Sequence, residues 1–226
     1  MHTAVIIVSF GRKALMKQTL DSLFATIEDH NAVKVIVVDN GSQPDMVQML
    51  LEYRTRLFSL VLLGENKGKP YALNLGARIA MEECHVQKLE QPHYFLFCDN
   101  DILFHPQWHA KLTKAYEEHK DLPLCGLSGF KWHGHKLTGL KTGATTQVNV
   151  VCYPPGCCIF MSIGAFKANG PWDTRRLIRT VDTSYFRNAN RRGWHNASIH
   201  PESVIAHMGV KDRCWELASG KPILKE

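Results

Sequence analysis

The sequence predicts an α/β fold with a mostly parallel central sheet flanked by helices. Three observations carry this. Four short hydrophobic runs rich in β-branched residues recur in the first half, at residues 4–8, 33–38, 60–63 and 94–97. Between them the apolar period becomes helical: Leu15, Leu20, Leu23, Phe24 and Ile27 fall near one face, as do Met46, Met49, Leu50 and Tyr53. Each of the first three runs also ends in turn-forming residues: Gly11, then Asp39-Asn40-Gly41-Ser42, then Gly64-Glu65-Asn66-Lys67-Gly68. Strand followed by helix, repeated, brings these loops to one edge of the sheet, where open α/β sheets hold their ligands.

Taken in order, the second run leads to a helix starting at Pro44, the third to one near Pro70, and the fourth to one from Pro106 to about His119. After Leu127 the pattern loosens. Residues 131–143, with Trp132, His133, His135 and three glycines, read as a mobile loop. Beyond it the sequence predicts a strand over 157–162, a short helix around Ala165, a turn at Asn169-Gly170-Pro171, a helix over 182–192 capped by Gly193, and a last strand over 203–207. With no repeat and no low-complexity linker, a single domain is expected over 1–226, divided into a ligand-binding half, 1–126, and a second half, 127–226.

Composition excludes disorder and fibres: 45% of the 226 residues are hydrophobic and 21% charged. No apolar run reaches the roughly 18 residues that span a bilayer. The N-terminal residues lead straight into a strand-length run, so a cytoplasmic protein is expected, with peripheral membrane contact left open. Seven cysteines without metal-type spacing read as reduced, mostly buried thiols. Charge is uneven. Residues 1–126 hold 13 Lys/Arg against 15 Asp/Glu, whereas residues 127–226 hold 14 against 6, so the second half suits an anionic partner.

The strongest local signal is Tyr94-Phe95-Leu96-Phe97-Cys98-Asp99-Asn100-Asp101, an apolar run ending in two acids spaced i, i+2. On an extended strand both side chains lie on one face, and paired acids there call for a cation. A divalent metal carrying a diphosphate fits the charge count; the alternative is a surface turn in which Asp99 caps the next element.

With these motifs in hand, the chain resembles a glycosyltransferase of the GT-A fold, family 2 type. The resemblance runs from Thr3 to His207. It rests on Ala4-Val-Ile-Ile-Val-Ser-Phe-Gly11, Val35-Ile-Val-Val-Asp-Asn-Gly-Ser42, Glu65-Asn-Lys-Gly-Lys-Pro-Tyr-Ala-Leu-Asn-Leu-Gly76, Asp99-Asn100-Asp101, and Pro155-Gly156-Cys157-Cys158-Ile159-Phe160-Met161 followed by Gly170-Pro171-Trp172-Asp173. Each is weak alone; their order makes the case.

The resemblance implies a nucleoside diphosphate sugar donor held by Ser9, Asp39, Lys69, Asn74, Asp99 and Asn100. Asp39 can accept from a base N–H or ribose hydroxyl, or cap the helix starting at Pro44. Lys67 and Lys69 can set positive charge beside phosphate or remain solvated surface. Asn74 can face the crevice or hold its loop. Asp99 would contact the ribose or the metal's water shell, and Asp101 would ligate Mn²⁺ or Mg²⁺ directly, with His207 as a second ligand. Counting back from Gly193 puts Asp182 on the family's basic aspartate, although Val181 and Ser184 stand where relatives carry further acids.

The implied reaction is metal-dependent, inverting transfer to a hydroxyl acceptor, with uridine diphosphate as the expected carrier. Trp132, Gly156 and Arg179 are acceptor-side candidates. A lipid-linked or phosphorylated glycan fits the basic half, as does nucleic acid bearing a hydroxylated base. Two other readings stay open: a non-catalytic glycan- or nucleic-acid-binding module on the same fold, and a nucleotidyltransferase. Sugar identity and oligomeric state are not encoded in any motif.

Overall fold

A computed structural model describes residues 1–131, 136–175 and 181–209. Trp132, Arg179 and Cys214 lie outside them. The first half alternates as its hydrophobic period requires: β1 (Thr3–Ser9), α1 (Lys13–Thr26), β2 (Val33–Asp39), α2 (Pro44–Glu52), β3 (Ser59–Leu62), α3 (Lys69–Val86) and β4 (Tyr94–Cys98). β3, β2, β1 and β4 pair in parallel in that order. All seven β1 residues are buried, the mark of a strand covered on both faces.

Side-chain alternation divides the core into two layers. Val5, Ile7, Val35, Val37 and Leu96 pack with Met16, Leu20 and Leu23 of α1 and with Met46 and Met49 of α2. Ala4, Ile6, Ile36, Phe95 and Phe97 pack on the opposite face with Ala72, Leu73 and Ala77 of α3. A Cβ on Gly76 would come within 2.4 Å of Ile6 Cγ2, so glycine lets α3 lie close on β1. That contact fixes the first turn of α3, and Lys69 with it, at the C-terminal edge of the sheet.

The remaining elements are β5 (Ile102–Phe104), α4 (Trp108–Glu118), β6 (Leu124–Ser128), β7 (Lys136–Thr142), β8 (Gln147–Val151), β9 (Cys158–Ser162), α5 (Ile163–Asn169), α6 (Val181–Arg191), β10 (His195–His200) and β11 (Ile205–His207). Nine strands form one sheet in the order β3-β2-β1-β4-β9-β6-β10-β8-β7, and β11 pairs with β5 in a small second one. β9 runs antiparallel between β4 and β6 and stitches the two halves together. The 126/127 division falls inside β6. α6 ends as predicted: Gly193 adopts φ 86°, and Trp194 N–H donates to Ala189 O at 3.0 Å.

Three expectations need correction. Much of the stretch read as a mobile loop is β7, paired with β8 in an antiparallel hairpin. The last strand is β11, confined to residues 205–207, while β10, unpredicted, joins the main sheet between β6 and β8. Asp99 and Asp101 do not lie on a strand: β4 stops at Cys98, and the acids occupy the turn into β5. Among the described residues the cysteines are thiols; Cys98 and Cys158 face each other across β4 and β9, buried, with their sulfurs 3.6 Å apart. No described helix is long and apolar enough to cross a membrane.

Candidate active site at the sheet edge

The C-terminal ends of β1, β2 and β4 open onto one crevice. Ser9 and Asp39 pair in register at the ends of β1 and β2 and are buried. Asp39 Oδ2 accepts from Ser42 N–H at 3.0 Å. Its Oδ1 and the Ser9 hydroxyl are buried with no partner, an arrangement that costs free energy unless a ligand completes it. Asp39 is not the cap of α2: that position is Gln43.

The next loop is tied to this one. Asn40 donates to Asn66 Oδ1 at 2.8 Å, and its own Oδ1 accepts from Lys67 N–H at 2.9 Å. Gly41 adopts φ 85°, and a Cβ there would come within 2.5 Å of Glu65 C. Glycine therefore allows the two loops to touch, which steers the chain into α3.

Lys69 is the hub. Its ammonium lies 2.6 Å from Asp99 Oδ1, 3.9 Å from Asp182 Oδ2 and 3.2 Å from Gly156 O. Burial works against the charged form, but Asp182 and Asp99 outweigh it and hold the Lys69 pKa above the ordinary lysine value. The Asp99 carboxyl is pushed up by burial, opposed by Lys69 and reinforced by Asp101. Asp182 stands in the first turn of α6, with Oδ1 buried and unpartnered. A Cβ on Gly156 would fall 1.8 Å from Asp182 Oδ2; the missing side chain is what makes room for this carboxylate.

β11 delivers His207. Its pairing sets His207 opposite Ile102, and Met208 N–H donates to Asp101 O at 2.8 Å. His207 Nε2 then lies 3.1 Å from Asp101 Oδ2. One ligand atom each from Asp99, Asp101 and His207 lies within 4.8 Å of the others. Two carboxylates and an imidazole so spaced fit a divalent ion such as Mn²⁺ or Mg²⁺. Burial pushes the Asp101 carboxyl up, yet His207 and Arg12 together hold it down at about 2.

The structure thus brings Ser9, Asp39, Lys69, Asp99, Asp101, Gly156, Asp182 and His207 to one edge. Two candidates serve its framework. Asn74 uses both ends of its amide on the Trp172 backbone, accepting from the N–H and donating to the carbonyl at 2.9 Å each, so it holds the loop before α6. Asn100, which is buried, donates to Gly11 O at 3.1 Å. One site residue was missed: Arg12 Nη2 reaches Asp101 Oδ2 at 2.7 Å. Its only signal was a cation directly after Gly11 in a strand-to-helix loop.

Known proteins resemble this chain in sequence and in fold. The uncharacterized glycosyltransferase YfnE of Bacillus subtilis (strain 168) is 31% identical over 129 residues, 56% of this chain and 30% of that protein. Among solved structures, S. aureus TarS 1–349 in complex with UDP-GlcNAc superposes with a TM-score of 0.66 at 16% identity, over 93% of this chain and 61% of that one. The mannosyltransferase PcManGT from Pyrobaculum calidifontis, in complex with GDP-Man and Mn²⁺, superposes with 0.61 at 17%, over 96% and 59%. The chain therefore spans about a third of YfnE and three fifths of these two structures. Residues 4–167 match the family described as Glycosyl transferase family 2, and with the sheet order and the acidic edge this makes the chain a member of glycosyl transferase family 2.

Proposed function

We propose that this chain transfers a sugar from a nucleoside diphosphate sugar to a hydroxyl acceptor by a single inverting displacement assisted by a divalent ion. The observation that carries the reading is Lys69, whose ammonium spans Asp99 of the acidic turn and Asp182 of α6. Donor-side and acceptor-side acids therefore meet within the reach of one side chain. Asp39 Oδ1, buried and unpartnered, suits a nucleobase N–H or ribose hydroxyl, with Ser9 beside it. TarS binds UDP-GlcNAc and PcManGT GDP-Man; of the two nucleotides, uridine diphosphate is the carrier we favour.

Asp99, Asp101 and His207 would hold the ion, which when bound supplies charge neutralisation for the leaving diphosphate. Asp182 removes the acceptor hydroxyl proton as that oxygen attacks the anomeric carbon opposite the leaving group. Gly156 keeps the space Asp182 needs, and Lys69 Nζ lies 3.9 Å from its Oδ2.

The acceptor reading rests on α6. Arg187, Arg191 and Arg192 are exposed, Arg187 lies 5.5 Å from the centre of the Tyr153 ring, and a cavity of about 520 Å³ lined by Asp173, Arg175, Ser184, Asn188 and Arg192 flanks the helix. Such a surface favours a polyanionic acceptor, a phosphorylated or lipid-linked glycan. The arginine over Tyr153 favours, as a second reading, nucleic acid bearing a hydroxylated base.

The test is product analysis with UDP- and GDP-sugars, Mn²⁺ and each acceptor class. Release of nucleoside diphosphate that needs the ion and rises with a polyanionic acceptor is expected. Release of pyrophosphate from a nucleoside triphosphate and a sugar phosphate, supplied in a parallel assay, would instead mark a nucleotidyltransferase, and no turnover with any sugar nucleotide would overturn the reading.

A further inference from the structure

Arg12 sits in a conformation that non-glycine residues rarely adopt, φ 57° and ψ 47°, at the N-cap of α1. Its neighbours hold it there. Gly11 N–H donates to Ser42 Oγ at 3.0 Å, and Asn100 donates to Gly11 O at 3.1 Å. The outcome is a guanidinium 2.7 Å from Asp101 Oδ2, the same oxygen that faces His207 Nε2 at 3.1 Å. A strained backbone maintained by hydrogen-bonded neighbours points to a task for the side chain it aims.

Asp101 Oδ2 cannot serve two cations equally. An ion held by Asp99, Asp101 and His207 would lie about 2.0–2.6 Å from its oxygen ligands, and a guanidinium on the same oxygen would be repelled at close range. Turned from Asp101, the fork can take an anion, and a diphosphate offers oxygens in the geometry a guanidinium binds in pairs. The start of α1 adds to this, with no side-chain cap and no acidic residue in its first turn, so its amides also favour phosphate.

We propose that Arg12 exchanges partners during the donor half of the reaction: it holds Asp101 while no divalent ion is bound, and on ion binding turns to the diphosphate of the sugar nucleotide. Arg12 is then at once a competitor of the ion and a ligand of the donor. This rests on the function proposed above.

The test measures two affinities in Arg12→Gln and Arg12→Lys: Mn²⁺ alone, by the loss of the free-ion electron paramagnetic resonance signal, and UDP or GDP at saturating Mn²⁺, by calorimetry. In Arg12→Gln, Mn²⁺ alone is expected to bind about threefold or more tighter, because a competing cation is gone. The diphosphate is expected to bind about tenfold or more weaker, because a charge-assisted contact is gone. Arg12→Lys, which keeps the charge but not the fork, should weaken the diphosphate less. Opposite signs are the signature, since a merely structural arginine would weaken both. Unchanged or weaker Mn²⁺ binding in Arg12→Gln, or undiminished diphosphate binding, overturns the exchange. Should Arg12→Gln not fold, Arg12→Lys decides alone: diphosphate affinity equal to wild type overturns the proposal. Wild-type protein that binds neither Mn²⁺ nor diphosphate would overturn the underlying function as well, which separates the two failures.

Discussion

On the proposed donor side of the crevice Ser9 and Asp39 are sealed into the sheet edge with polar atoms unpaired, whereas on the proposed acceptor side the arginines of α6 stand in solvent. The difference has energetic consequences. A buried, unsatisfied acceptor is worth about 1–3 kcal/mol to a ligand that completes it and penalises one that does not. An exposed arginine is worth about 0–1 kcal/mol to a single anion, and salt screens it. On the proposed function, the donor side would take one kind of ligand, and the acceptor side many weak contacts with a highly charged one. Lys69 is the seam between them.

The sharpest way to break the seam without removing a charge is Gly156→Ala. The new methyl would overlap Asp182 Oδ2, so the carboxylate must move, and displacement of a catalytic group by about 1 Å is expected to cost about a hundredfold in turnover. Donor affinity should change little. Steady-state kinetics beside donor titration checks this, and a parallel loss in both would mean that the two sides are not separable.

A smaller effect is expected far from the crevice, where Glu118 fastens the β7–β8 hairpin. Its carboxylate accepts from the backbone and hydroxyl of Thr145 and of Thr146 at 2.6–2.8 Å. The Thr145 and Thr146 donors hold its pKa at about 2, below the ordinary 4.5. A carboxyl with a depressed folded-state pKa stabilises fully above 4.5 and loses that contribution as pH falls toward 2. Glu118→Gln should therefore melt below wild type at pH 7, and the gap should close between about pH 4.5 and 2. A gap that does not depend on pH would assign the effect to packing.

The parallel half was legible because its strands are buried on both faces and read as continuous apolar runs, as in β1, where every residue is buried. The far half follows other rules. β10 carries Asn196 and Ser198 into full burial. Asn196 is tolerated there because its amide donates to Cys152 O, Phe186 O and Asn190 Oδ1, long-range partners that no local pattern announces. In β7 the pairing shifts register between Lys136 and Gly139, and Gly139, which suggested a loop, marks a bulged strand instead. In the site, Asp39, Asp99, Asp101 and Asp182 could be read from their places after strands and before a helix. Arg12 could not, because its role depends on a left-handed backbone and on the turn that swings Asp101 toward it.

The central claim is that donor recognition and proton removal lie on opposite sides of Lys69. Calorimetric titration of a UDP- or GDP-sugar at saturating Mn²⁺ into Asp39→Asn and Asp182→Asn tests it most directly. The expected result is donor affinity about tenfold weaker in Asp39→Asn, where a buried acceptor is lost, and near wild type in Asp182→Asn, although the latter transfers no sugar. Wild-type donor affinity in Asp39→Asn, or its loss in Asp182→Asn, would contradict the account.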